Sequence, residues 1–159
     1  MNTKEASSLV LMNHERIHRA LDRMAYQIME EAESRQGILV VGLKERGMAV
    51  AEALSEHLQA VGGTEVTLVD VEDVANHPAP PYVVLVDDVI FSGQTMLSAI
   101  RRILAEAEPE ILRTAVLVDR GHRRMPVDAT FAALRLPTKQ NEHVSVQVKD
   151  GAVLQVMLT

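Results

Sequence analysis

Residues 83–95 read VVLVDDVIFSGQT, and the fold turns on how this stretch divides. Val83 to Val86 form a continuous run of branched apolar residues, the pattern of a strand buried on both faces. Asp87 and Asp88 follow, and from about Gln94 to Ala107 the chain takes a helical pattern that Pro109 ends. Adjacent carboxylates repel, so a strand end that carries two of them needs a cationic or hydroxylated partner. Where a strand-end loop meets a helix, unpaired backbone N–H groups and the helix dipole favour an anion. Gly93 allows close approach there, and Ser92 and Thr95 add hydroxyl donors. Residues 92–95 therefore read as a phosphate cradle. The acidic pair beside it suits sugar hydroxyls or a divalent cation. A ribose 5-phosphate fits both halves. The turn is not a Walker loop, since GxxxxGK[ST] is absent, and no GxGxxG follows a strand.

Working outward, Asn13 is a candidate N-cap for a helix to about Ser34, with Ile17, Leu21, Met24 and Ile28 on one stripe. The SSLVLM segment (7–12) precedes it. ILVV (38–41) is a second buried strand, LKERG (43–47) a loop, and Met48 to Ala60 a helix stopped by Gly62-Gly63. Glu65 to Val71 alternates as a strand, and VEDVANHPAPP (71–81) is a proline-rich loop. Arg113 to Val118 forms a further strand. The rest reads as short strands, with DRGHRRMP and LRLPTKQN as loops and a final hairpin turned at Lys149-Asp150-Gly151. Helices between apolar strands predict an α/β fold, a mostly parallel sheet flanked by helices, over one domain spanning 1–159. Ligands of such sheets bind beyond the carboxyl ends of the strands. KERG, DDVIFSGQT and DRGHRRMP all belong to that edge.

Composition narrows the classes. The 159 residues are 47% hydrophobic and 24% charged, the balance of a globular chain that can bury a core. No apolar run approaches the roughly 18–20 residues of a membrane span, and the N-terminus does not read as a secretory signal. The absence of cysteine excludes disulfides and thiolate metal sites and fits the cytoplasm. A net charge of −6 weighs against a surface that attracts nucleic acid as a whole.

VVLVDDVIFSGQT resembles the phosphoribosyl pyrophosphate motif of type I phosphoribosyltransferases, in which hydrophobics and two acidic residues precede a Thr/Ser-Gly-x-Thr turn. VLVDRGHRRMPVDATF and LRLPTKQNEHVSVQV are similar to the C-terminal part of one branch, the bifunctional pyrimidine-operon attenuation regulators with uracil phosphoribosyltransferase activity. IHRALDRMAYQIME and ILVVGLKERGMAVAEAL match its N-terminal helix and pyrophosphate-loop region. The resemblance implies the type I fold with a small C-terminal β hood. It implies transfer of ribose 5-phosphate from phosphoribosyl pyrophosphate to a uracil-like base, with pyrophosphate released. In this reading Asp87 and Asp88 contact the ribose hydroxyls, and Val89, Ile90, Phe91, Ser92, Gly93, Gln94 and Thr95 wrap the 5′-phosphate. Lys44, Arg46 and Gly47 belong to the pyrophosphate loop, where the family tends to carry a strained peptide. Arg120, Gly121, His122 and Arg135 border the base. Mg2+ arrives with the substrate instead of on dedicated protein ligands, Asp87 or Asp88 being the side chains in reach. Self-association, as a dimer, is also implied.

Three positions depart from the family pattern. The long hairpin that closes over the substrates is replaced by VEDVANHPAPP, without the Tyr-Arg pair at the preceding strand's end. Glu45 stands where the branch has Thr, and Gln94 where it has Arg. A second reading follows from a different class: a binder of nucleotide or phosphoribosyl pyrophosphate that does not turn over. Arg120, Arg123, Arg124, Arg135 and Lys139 make a locally basic group, read either as a solvated face with base-site arginines or as an RNA contact. His14-Glu15-Arg16-Ile17-His18 spells HExxH, the zinc-hydrolase pattern, but lies in a first helical turn with no third ligand at a recognised spacing. His57 and His143 read as surface residues, and His77 as a loop residue within reach of the site. Met24 and Met29 read as core filler.

Overall fold

The apolar runs at 38–41 and 83–86 lie side by side at the centre of a five-stranded parallel sheet. The computed structural model describes residues 7–32 and 35–159. In chain order these form β1 (Leu9–Met12), α1 (His14–Ala32), β2 (Ile38–Gly42), α2 (Lys44–Val61), β3 (Val66–Asp70), β4 (Val83–Ile90), α3 (Gln94–Glu106), β5 (Leu112–Asp119), β6 (Phe131–Arg135), β7 (Val144–Lys149) and β8 (Ala152–Leu158). The parallel sheet has the order β3-β2-β4-β5-β6, and a second, antiparallel sheet has the order β1-β8-β7. Among the described residues no helix is long and apolar enough to cross a membrane.

One face of the parallel sheet is covered by α1 and α2. Ile17, Leu21, Met24 and Ile28 are buried there with Val40, Val84, Val50 and Leu54. The other face packs against α3 through Met96, Ala99 and Ile103. Asn13 caps α1, its Oδ1 accepting the Arg16 N–H at 2.9 Å. The Ser34 end predicted for that helix lies outside the described residues. Val144, Val146, Val153 and Val156 of the small sheet share the buried cluster of α1 and α2. The Asp150-Gly151 turn has φ of 52° and 77°, as a two-residue hairpin with both central residues left-handed requires.

Four differences from the sequence reading bear on the site. KERG is not a loop but the first turn of α2, since Lys, Glu and Arg are good helix formers and follow the strand directly. The motif strand does not stop at Val86 and runs through Asp87, Asp88 and Val89 to Ile90, because β5 pairs with it as far as Asp119. The hood is not purely C-terminal: β1 joins it by pairing with β8. VEDVANHPAPP is not irregular throughout. Val71–Asn76 forms a 3-10 turn whose Val71 and Val74 are buried against α3, tied down by an Arg102–Glu72 ion pair of 2.9 Å.

His77 and His57 also fall elsewhere than expected. His77 lies with Ile38, Glu65 and Pro80 at the amino ends of the strands, away from the ligand edge. His57 is half-buried between α2 and α1, its Nε2 at 3.1 Å from Nδ1 of His18.

Candidate active site

The carboxyl ends of β2 and β4 open into a cavity of about 950 Å³. Its walls come from three places: the first turn of α2 (Lys44 to Gly47), the motif strand (Asp87, Asp88, Val89) with Thr95, and the β7–β8 hairpin (Ser145, Gln147, Leu154 among others). The amino ends of α2 and α3 both border it, so two sets of unpaired backbone donors and two dipoles bear on the same space. An anion placed there is stabilised by both.

Gly47 sets the close approach of α2 to the motif strand. A Cβ on it would stand 3.0 Å from the Val86 carbonyl oxygen and 3.1 Å from Asp87 Oδ1. Leu43 donates its N–H to the Val86 carbonyl at 3.0 Å, fastening the same junction. Between these contacts Lys44 adopts a φ of 56°, a left-handed conformation uncommon for a residue with a side chain. The strain of this turn thus lies at Lys44, and no cis peptide bond occurs among the described residues. Lys44, Glu45 and Arg46 are exposed on the cavity wall.

The two motif carboxyls are not equivalent. Asp87 Oδ1 accepts the Asp88 N–H at 2.8 Å. Burial, reinforced by the side chain and charge of Asp88, pushes the Asp87 carboxyl up to about 8, against the opposing pull of the Asp88 N–H and of Lys44. A half-buried acidic pair of this kind gains most from a hydroxyl donor or a cation arriving in the cavity.

Gly93, at φ 85°, caps α3, and Ser92 Oγ accepts the Gln94 N–H at 3.2 Å. The Ser92 carbonyl receives the N–H groups of Arg124 (2.8 Å) and Met125 (3.1 Å), which lock the turn to the 119–126 loop. Thr95 and Gln94 are exposed. Ile90 is buried in the core, and its carbonyl accepts the Arg120 N–H at 3.1 Å. Phe91 lies outward under the Arg120 guanidinium, 4.4 Å from the ring centre.

The base-side residues gather near this turn but do not line the cavity. Arg120 is buried, with Nε donating to Thr138 Oγ1 at 2.9 Å and Nη2 to the Glu142 carbonyl at 2.5 Å. Gly121 and His122 have φ of 76° and 60°, and His122 bonds the Thr138 carbonyl. Arg135 and Arg123 both donate to Asp119 Oδ2 at 2.9 Å. Burial acts to raise the Asp119 carboxyl, but the Arg123 hydrogen bond, the Gly121 N–H and both guanidinium charges hold it below the usual carboxylate range. Of the basic group, three arginines are therefore engaged within the protein, and Arg124 and Lys139 remain exposed. The hood residues Ser145, Gln147 and Leu154 escaped the sequence reading. The only signal was a hairpin following the family-like loops, and nothing local says that a hairpin folds back over a distant strand end.

Comparison with known proteins agrees with this geometry. Residues 79–150 match the phosphoribosyl transferase domain. The chain is 36% identical to the bifunctional protein PyrR of Herpetosiphon aurantiacus, over 88% of this chain and 89% of the relative. It is 33% identical to the protein of that name from Deinococcus radiodurans, over 91% and 90%, and 31% identical to that of Leuconostoc citreum, over 88% and 91%. The crystal structure of HGPRT-ase from Leishmania tarentolae in complex with GMP shares the fold, with a TM-score of 0.75 at 18% identity over 96% of this chain and 97% of the other. The chain thus belongs to the type I phosphoribosyltransferase family, in the branch of the bifunctional PyrR proteins.

Proposed function

We propose that the protein joins phosphoribosyl pyrophosphate to a uracil-like pyrimidine base and releases pyrophosphate. The observation that carries this reading is the cavity in which Asp87 and Asp88 stand between the amino ends of two helices. The α3 turn, residues 89–95, holds the 5′-phosphate through Thr95, Ser92 and backbone N–H groups. Lys44, Arg46 and the start of α2 hold the pyrophosphate. Asp87 and Asp88 accept hydrogen bonds from the ribose hydroxyls, and the negative charge of Asp88 offsets the positive charge that develops on the sugar. The base then sits toward Arg120–His122 and Arg135, read by backbone groups there, since the guanidinium donors are already engaged.

The donor set fits Mg2+. Asp88, with Asp87 once ionised, offers hard oxygen ligands beside an anion cradle. Bound with the donor, the ion supplies charge neutralisation to the leaving pyrophosphate. The protein's own part is to orient the two reactants and keep water from the reacting carbon. We further propose a cytoplasmic protein that works as one domain and pairs with a second copy. In support, β1 is a sheet edge with Leu9 and Val10 exposed.

A second reading, a binder without turnover, is favoured by the β3–β4 connection. It is pinned to α3 and ends at the opposite edge of the sheet, so it supplies no cover for the cavity. Calorimetric titration with phosphoribosyl pyrophosphate plus Mg2+, beside an Asp88→Asn control, tests the donor site without assuming a base. Binding lost in the variant, followed by uracil-dependent pyrophosphate release, is the expected result. Absent donor binding, with a nucleoside monophosphate still bound, refutes transfer and leaves the sensor. A steeply salt-dependent affinity for RNA would add the contact that Arg124 and Lys139 are placed to make.

A further inference from the structure

The HExxH segment meets a partner that its spacing in the sequence does not show. In the first turns of α1, Nε2 of His14 and Nε2 of His18 lie 3.0 Å apart. Nδ1 of His18 faces Nε2 of His57 on α2 at 3.1 Å, and Nδ1 of His57 faces Asp22 Oδ1 at 3.4 Å. The four side chains form a line that ends on a group able only to accept. An ionised Asp22 takes the Nδ1 proton of His57, which leaves His57 Nε2 with a lone pair. That lone pair takes the Nδ1 proton of His18. His18 Nε2 is then an acceptor, aimed at His14.

We propose that His14 and His18 chelate a divalent ion of the Zn2+, Ni2+ or Cu2+ type, with His57 and Asp22 as the outer pair that sets the tautomer of His18. Ions of this class bind imidazole nitrogen at about 2.0–2.1 Å, which places two adjacent ligand nitrogens roughly 3 Å apart. The observed 3.0 Å matches that separation. In the empty site His14 donates its single proton from Nε2 to Nε2 of His18. On binding the ion takes the place of this proton, which is re-bound from solvent at His14 Nδ1, so that both Nε2 atoms present lone pairs to the ion. The imidazole–carboxylate chain behind His18 is the arrangement that orients metal-bound histidines. The two rings border a cavity of about 190 Å³ whose rim carries Glu52, Glu56 and Asp150, so the local charge favours a cation. With two protein nitrogens the site is smaller than a three-donor cluster, and none of that size occurs among the described residues. Water or an exogenous ligand completes the coordination. Glu15, the general base of a zinc hydrolase bearing this motif, is instead paired with Arg19 at 2.9 Å. The site therefore binds without hydrolysing. None of its residues lines the sugar-phosphate cavity.

Calorimetric titration of the full chain with ZnCl2 tests the proposal, using tag-free protein stripped with chelator. One ion per chain is expected, with affinity falling at least a hundred-fold in His14→Ala and in His18→Ala. In His57→Phe the fall is roughly ten- to hundred-fold. His14 is exposed, so its variant keeps the fold, which a thermal melt verifies. No uptake by the unmodified chain, or equal uptake by His14→Ala, overturns the site. Unchanged affinity in His57→Phe overturns the role of the outer pair.

Discussion

Asp87 holds its proton at neutral pH in the empty cavity, because burial and the adjoining Asp88 raise it to about 8 from an ordinary 3.8. Between those values the folded chain binds a proton that the unfolded chain has released. Stability of the empty protein therefore falls as pH rises across that window and levels off above it. Asp87→Asn keeps an oxygen for the Asp88 N–H and removes the titration. We expect its Tm to exceed that of the parent by roughly 3–8 °C at pH 8, with the gain shrinking toward pH 4. The same proton must leave when donor and Mg2+ occupy the site. Calorimetric enthalpies of donor binding at pH 7 should therefore vary with the ionisation heat of the buffer, and affinity should rise with pH up to about 8. The acidic pair was plain in the sequence. Which carboxyl is the buried one was not, because that depends on Gly47 and Val86 closing around Asp87 and not Asp88.

At the scale of elements, two helix amino ends are held against one strand, and the spacing rests on a residue without a side chain. Gly47→Ala inserts a Cβ at 3.0–3.2 Å from Val86 and Asp87, where backbone atoms line one side and leave little room to yield. The expected cost is about 1–3 kcal/mol in thermal or urea denaturation. Donor affinity should drop as well, since α2 must move away from the acidic pair. Unchanged affinity with lowered stability would separate the packing role from the binding role. KERG illustrates why the element boundary escaped the sequence. A glycine three residues into a charged tetrapeptide signals a loop by local rules, yet the helix begins before it because Leu43 is anchored to Val86 across the sheet.

For the whole molecule, Asp119 is the tie between β5, β6 and the loop behind the Ser92-Gly93 turn. Its Oδ2 accepts from Arg123 and Arg135, and its Oδ1 from the Gly121 N–H at 3.0 Å. The carboxyl is held below its ordinary value, so its contribution is present above the unfolded carboxylate range and disappears as pH falls through the folded pKa. Asp119→Asn should lower stability by about 1–3 kcal/mol at pH 7, discounted for the exposure of Arg135. The difference from the parent should narrow at acidic pH. Melting curves at pH 7 and at about pH 2, below the ordinary carboxylate range, check both statements.

The order of strands and helices, the burial of ILVV and VVLV as strands, and the glycine turn that leads into α3 were legible without a structure. Each rests on interactions between residues near in the chain: apolar runs, a helix start, a glycine that frees the backbone. Tertiary structure alone decided that β1 completes the hood and that the β7–β8 hairpin walls the cavity. It also decided that Arg120, Arg123 and Arg135 spend their donors on the protein itself, and that His57 meets the HExxH segment. These pairings join residues tens of positions apart. Local periodicity carries no information about which distant side chain fills a given space, whereas packing the two sheets against α1 and α2 determines it.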